Sequence, residues 1–280
     1  MTYKITKKNI VKVVSAGKRL DNRGLFDQRD IEIKFGISNK AEGSVSVRMG
    51  KTEVLCGIKM GVSTPYTDHE NEGTMMTSME LLPLASPNFD YGQPTIESVE
   101  TARIIDRGIR ESGFIDFHKL CITPGEKVWS IFIDMAVIND DGNLIDAGSL
   151  AALLALITAR KPIYDAEKKI ISFGEFSDEK LPLNLSKMPV TMTFFKVDDS
   201  LIFDPTRDEE DACEARLTVE ISKPGKEEVI NAMQKGGEAA LSIAEVEKIV
   251  SEGTKIFKRL NSLIETEVEQ FEKSNKKGKK

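Results

Sequence analysis

From Val128 to Ile138 the chain places Trp129, Ile131, Ile133, Met135 and Val137 at every second position, the pattern of a long strand buried on one face. A run of turn composition follows, Asn139-Asp140-Asp141-Gly142-Asn143. The next segment, from Asp146 to about Arg160, embeds Leu150, Leu153, Leu154 and Ile157 among alanines. It predicts a helix with Asp146 as its N-cap and Pro162 enforcing its stop. A helix that is apolar nearly all round must be covered on every side, so this one belongs at the centre of the molecule.

The remaining pattern supplies the cover. Segments 31–38, 43–48 and 53–61 are short, rich in Ile and Val and separated by turn residues such as Asn39 and Gly50, which predicts antiparallel strands. A helix is expected from about Thr95 to Ser112. Strands follow at 190–197, 200–203 and 215–221, and helices at about 226–235 and 243–271, the last opened by a capping box of Ser242 and Glu245. The order β-β-β, α, β, α, β-β-β, α, α is that of an α+β protein, with helices packed on mixed sheets. No solenoid period is present. At 280 residues the chain can bury roughly 75% of its unfolded surface, as one compact unit of two lobes.

Composition removes several classes of function. No apolar run approaches the ~20 residues of a membrane span, and the N-terminus lacks the apolar region of a signal peptide, so a cytoplasmic location is expected. Three cysteines (Cys56, Cys121, Cys213) and two histidines (His69, His118), all far apart in sequence, argue against a disulfide scaffold and a zinc site. The thiols read as buried and unpaired. The last eight residues hold five lysines and no acid, the composition of a disordered end, which leaves 34 basic against 45 acidic residues over 1–272. A body of charge −11 excludes nucleic-acid binding by global charge, so any such contact must be local.

Two local charge patterns stand out. At 100° per residue, the helix near 95–112 puts Thr101, Ile104, Ile105, Gly108 and Ile109 on one face and Arg103, Arg107 and Arg110 on the other, within an arc of about 60°. Such a stripe suits a row of phosphates or partner carboxylates, and Ile96 and Val99 beside it favour an interface over open water. Pairing of Asp106 with Arg110 on a solvated face is the plainer alternative. From Asp204 to Glu214 six of eleven residues are acidic: Asp204, Asp208, Glu209, Glu210, Asp211 and Glu214. They could hold Mg²⁺ or act as acid and base, but an acidic loop is more often solvated, and only Arg207 and Arg216 adjoin it. Gly142, Gly236 and Gly237 make no phosphate-loop fingerprint, and neither histidine has a nucleophile signature nearby.

The run Arg19-Leu-Asp-Asn-Arg-Gly-Leu-Phe-Asp-Gln-Arg-Asp, the helix pattern E-x-x-R-x-x-D-R-x-x-R over Glu100–Arg110, and Asp204-Pro-Thr followed by acids together resemble the RNase PH family. The likeness spans about residues 15–260 and is strongest to the non-catalytic RNase PH-like subunits of the archaeal exosome. The resemblance implies an RNase PH-like fold of two βαβα-type lobes, divided here as 15–190 and 191–272, with 273–280 as a lysine-rich tail. It also implies a hexameric ring alternating catalytic and non-catalytic subunits, a cap of RNA-binding proteins, and 3′-to-5′ phosphorolysis of single-stranded RNA in the pore, with no cofactor or metal assigned to this chain. A ring subunit is expected to expose a hydrophobic edge strand.

Catalytic members carry a G-T-R or G-S-R turn that clamps the attacking phosphate. Here it reads Gly142-Asn143-Leu144, and an apolar Leu144 cannot hold a dianion. A further family acid, in the pattern E-x-D, aligns with Arg216. The chain is therefore expected to have no catalytic residues of its own, while Arg103, Arg107 and Arg110 contact RNA or support the partner's site. Two alternatives remain: an active phosphorolytic enzyme using Glu210 and Asp211, and an acidic interaction protein whose arginine stripe meets only protein.

Overall fold

A computed structural model describes residues 3–165 and 170–278. In chain order its elements are α1 (Lys4–Ser15), β1 (Ile31–Phe35), β2 (Gly43–Met49), β3 (Thr52–Ser63), β4 (Thr74–Leu81), α2 (Ile96–Glu111), β5 (Cys121–Thr123), β6 (Lys127–Asn139), α3 (Leu144–Thr158), β7 (Arg160–Asp165), β8 (Ile170–Lys180), β9 (Val190–Val197), β10 (Ser200–Phe203), α4 (Arg207–Glu210), β11 (Ala215–Ser222), β12 (Val229–Gly237) and α5 (Ile243–Gly278). The first sheet runs β1-β2-β3-β6-β4, antiparallel except that β4 lies parallel to β6, with β5 as a short addition to β6. The second is the antiparallel sheet β10-β9-β11-β12, and β7 with β8 forms a separate hairpin. The fold is α+β, with mixed sheets and helices packed against them.

The period-two strand is β6, and Trp129, Ile131, Ile133, Met135 and Val137 are all buried. The apolar helix is α3, which packs on β2 and β3 on one side and on β9 on the other. Every residue from Leu144 to Ile157 is buried, so its lack of a polar face matches its place between the sheets. On one face of the second sheet, α5 brings Ile249, Ile256 and Phe257 into the core with Phe194, Val219 and Ile221. The opposite face carries Phe195, Val197 and Ile202, covered by Ile10 and Val14 of α1.

Several expectations are corrected. Asp146 does not cap α3: Asn143 holds the N-cap position at φ 59°, and Asp146 points inward to accept from Thr193 N (3.1 Å) and Thr193 Oγ1 (2.7 Å). The helix ends where Ala159 turns extended, and Pro162 lies within β7. The helix expected at 226–235 is strand β12: Glu, Ala, Met and Gln favour helix locally, but pairing with β11 along its length overrides that preference. Elements α1, β4, β5, β7, β8 and α4 are additional to the elements expected from the sequence. The C-terminal end, expected to be disordered from Lys273, continues α5 through Gly278, while Lys279 and Lys280 lie outside the described residues. Strand β12 is an edge strand and exposes Val229, Ile230 and Met233.

One polar layer sits inside this packing. Glu220 on β11 is wholly buried, and its carboxyl lies so close to Gly108 of α2 that a Cβ there would collide with it. Neither carboxyl oxygen has a hydrogen-bond partner among the described residues. Burial first, then the nearby Asp146, pushes its pKa up to about 8, against the pull of Arg107. Burial likewise lifts Asp146 to about 7. A raised carboxyl pKa contributes stability that is full below the unfolded value and is lost as pH climbs through the folded one. The melting temperature is therefore expected to fall between about pH 5 and pH 8, and Glu220→Gln, which keeps the shape without the titration, should flatten that slope. Melts of both proteins at matched salt decide it, and parallel slopes would show that Glu220 does not titrate in this range.

Candidate functional site

Helix α2 opens at Thr95, whose Oγ1 accepts from Ser98 N (3.2 Å), and buries Thr101, Ile104, Ile105, Gly108 and Ile109. Arg103, Arg107 and Arg110 are exposed on the other face. They line a groove of about 970 Å³ whose further walls are Met76 and Thr77 of β4 and Gln234 and Lys235 of β12. The three differ in freedom. Arg110 is held by Asp106 (Nε to Oδ2, 3.0 Å), donates to the Met75 carbonyl (3.0 Å) and lies 5.7 Å over the Phe117 ring. Arg107 makes one long bond, to Gln234 Oε1 at 3.4 Å. Arg103 has no ion pair or side-chain hydrogen bond among the described residues, so it is the readiest to meet an anion. Exposed Ile96 and Val99 form an apolar lip on the groove.

The turn between β6 and α3 packs on the segment that follows β10. Gly142 has φ 85° and rests against the backbone of Pro205, Thr206 and Arg207, the nearest atoms 2.7 Å from where a Cβ would stand, so only glycine fits. Leu144 is buried in the core. The Asn143 N–H, at the N-terminus of α3 and so a natural anion site, donates instead to Glu210 Oε2 at 2.9 Å. Burial pushes the Glu210 pKa up, opposed by Arg207 and by this bond. The anion position of the turn is thus filled by the protein's own carboxyl.

Family models for the 3′ exoribonuclease (RNase PH) family match both halves of the chain, domain 1 over residues 27–162 and domain 2 over residues 187–256. The chain belongs to that family. It is similar to the exosome complex component Rrp42 of Methanosarcina acetivorans, 45% identical over 86% of each chain. Rrp42 of Pyrococcus abyssi is 41% identical over 95% of this chain and 96% of that one. Among solved structures, the Archaeoglobus fulgidus exosome with RNA bound to its active site superposes with a TM-score of 0.83 at 36% identity, covering 92% of this chain and 97% of that one. An archaeal exosome core gives 0.80 at 32%, covering 93% and 96%.

In this RNase PH family member the acidic segment is not a solvated loop. Asp204 and Glu209 are buried, and the arginines that neutralise them come from the N-terminal run. Arg19 forms a two-point pair with Glu209, Nε to Oε1 at 2.9 Å and Nη2 to Oε2, and donates to the carbonyls of Phe203 (2.8 Å) and Asp204 (2.9 Å). Arg29 clasps Asp204 (Nη2 to Oδ1, 2.6 Å) and reaches the carbonyls of Asp141 (2.8 Å) and Gly142 (3.1 Å). Arg23 adds a bond to the Asp204 carbonyl at 3.0 Å. Against the burial that would raise it, Arg29 holds the Asp204 pKa below the usual carboxylate value. These partners lie about 180 residues away in sequence, so the local reading of Asp204–Glu214 could not find them; the arginine spacing of the opening motif was the available signal.

Arg216 stands on β11, paired through Nη2 with Glu100 Oε1 of α2 at 2.6 Å and stacked over Gly236. It thus joins α2 to the second sheet next to the arginine groove. Glu72 brings the two histidines together, His69 Nδ1 at 3.0 Å and His118 Nε2 at 3.4 Å, on an exposed surface. Cys56 is buried, while Cys121 and Cys213 are half-buried rather than fully enclosed. No described helix is long and apolar enough to cross a membrane.

Removing one member of a buried ion pair strands the other charge and typically costs about 3–5 kcal/mol. Arg19→Met is expected to cost that much in urea unfolding, and Arg19→Met with Glu209→Leu distinctly less. Equal losses in the single and double variants would mean that the stranded carboxylate is not the source of the cost.

Proposed function

We propose that this chain is a non-catalytic ring subunit of an archaeal-type exosome, which degrades RNA from its 3′ end by phosphorolysis. One observation carries the non-catalytic reading. Glu210 sits on the Asn143 N–H, and Leu144 is buried where an active relative would present a phosphate-clamping arginine. A dianion would meet the Glu210 carboxyl there, with the neighbouring Arg29 and Arg207 already paired to Asp204, Asp140 and Asp211, and Arg216 stands at the position of the expected acid. Loss of a positioned proton-transfer group alone removes about 10²–10⁴-fold in rate. On this reading the chain pairs with a catalytic RNase PH-like subunit to complete a hexameric cytoplasmic ring beneath RNA-binding cap subunits, its two lobes dividing near residue 190. The exposed edge of β12 offers one surface for such pairing.

The groove supplies the second half of the proposal. Arg103 and Arg107 are free or nearly free to engage RNA phosphates, whereas Arg110 mainly orders the groove through Asp106, Met75 and Phe117. Guanidinium groups pair with phosphate without reading bases, so binding is sequence-tolerant. The homologue solved with RNA at its active site is consistent with an RNA ligand.

The decisive assay follows 3′-end shortening of a labelled single-stranded RNA in inorganic phosphate, with nucleoside diphosphate as the product scored. The chain alone is expected to be inactive and its mixture with a catalytic partner active; release of diphosphate by the chain alone would overturn the non-catalytic reading. Replacing Arg103, Arg107 and Arg110 by glutamine, in a ring that still assembles, is expected to shallow the salt dependence of binding by about 1.4, two phosphate contacts at ~0.7 each from Arg103 and Arg107, with Arg110 adding little. An unchanged slope would remove the arginines from the RNA path.

A further inference from the structure

Residues 1–18 contain five lysines, Lys4, Lys7, Lys8, Lys12 and Lys18, and no acid, whereas residues 19–272 hold 29 basic against 45 acidic residues. A body of charge −16 gives no electrostatic reason for a wholly basic helix to remain without partners, yet α1 nearly does so. Its inward face is fixed by Ile10 and Val14 on Phe195, Val197 and Ile202, and by Lys7, whose Nζ donates to the Asp211 carbonyl. Lys4, Lys8 and Lys12 fall at i, i+4 and i+8, one row about 12 Å long on the opposite face. All three are exposed, as is Lys18 just beyond the helix, and none makes an ion pair or side-chain hydrogen bond among the described residues.

The register of the second sheet relates this row to the arginine groove. Phe195, under α1, pairs directly with Arg216, which contacts α2, so the two helices ride the same face. Helix α1 lies over β9 and β10 and α2 over β11 and β12, at opposite edges of four strands. Three strand intervals at about 4.8 Å separate those edges by roughly 14 Å. The lysine row is therefore a separate landing site and not an extension of the groove.

We propose that Lys4, Lys8 and Lys12 of α1 bind the phosphate backbone of a second stretch of single-stranded RNA, several nucleotides away from the stretch held by the arginine groove. The ligand's identity as RNA rests on the function proposed above; the site itself rests on the unpaired row. Phosphate is the partner that a row of ammonium groups at regular helical spacing meets without any built pocket, and such a contact is electrostatic and sequence-independent.

The test uses the intact assembled complex and two RNAs, an oligonucleotide of about five residues and one of about thirty, titrated over a range of salt. With Lys4, Lys8 and Lys12 replaced by glutamine, the salt slope for the long RNA is expected to shallow by about 2, at ~0.7 per contact, and the slope for the short one to stay unchanged. The triple Lys→Arg variant should retain the original slope. An unchanged slope on the long RNA would overturn the proposal, and an equal loss on both RNAs would overturn the separate landing site. Failure of the lysine variant to assemble, seen by light scattering, would assign α1 to a protein contact and likewise overturn it. Arg103→Gln with Arg107→Gln, run in parallel, separates the two readings: if it leaves both slopes unchanged while the lysine variant still shallows the long-RNA slope, the groove fails and the lysine row stands.

Discussion

Asp204 lies fully buried at φ 50°, clasped by Arg29, bonded through Oδ1 to Asn143 Nδ2 at 3.0 Å, with its carbonyl taken by Arg19 and Arg23. Through this one residue the N-terminal arginine run, the turn after β6 and the segment after β10 become a single unit. Arg29 also holds the Asp141 and Gly142 carbonyls, and Arg19 secures Glu209. Each charge in the network is matched by a partner and by backbone bonds, the condition under which burying it is tolerable. The network fixes where Glu210 stands, and Glu210 in turn closes the anion position at the start of α3.

Helix α3 distributes the consequences. With no polar face, it can only lie between the sheets, and its position sets the spacing of β2 and β3 on one side and β9 on the other. Its first turn carries Asp146 to Thr193, beside Thr218 and in the same polar layer as Glu220. Glu220 then seats Gly108, so the helix bearing the arginine groove rests on a buried carboxyl. The groove and the closed turn are two outputs of one packed centre.

Much of this was legible in the sequence where a pattern repeats within one element. The alternation of β6, the apolar circumference of α3, the two faces of α2 and the Ser242–Glu245 box of α5 all reappear in the structure. What failed had its cause far away in the chain. Residues 226–235 carry helix-favouring side chains, but the unpaired edge of β11 recruits them as β12. The acids of 204–214 read as a loop because their counter-charges sit near residues 19–29.

The candidate site divides in the same way. Sequence by itself determined that three arginines share one helical face and that Leu144 cannot clamp a phosphate, because helical geometry and side-chain chemistry are local properties. Only the tertiary structure decided that Glu210 accepts from the Asn143 N–H, that Arg110 is already engaged while Arg103 has no partner among the described residues, and that Lys4, Lys8 and Lys12 of α1 have none there either. Those outcomes depend on which charges meet across long loops, and a charge's partner is set by the packing of the whole chain rather than by its neighbours in sequence.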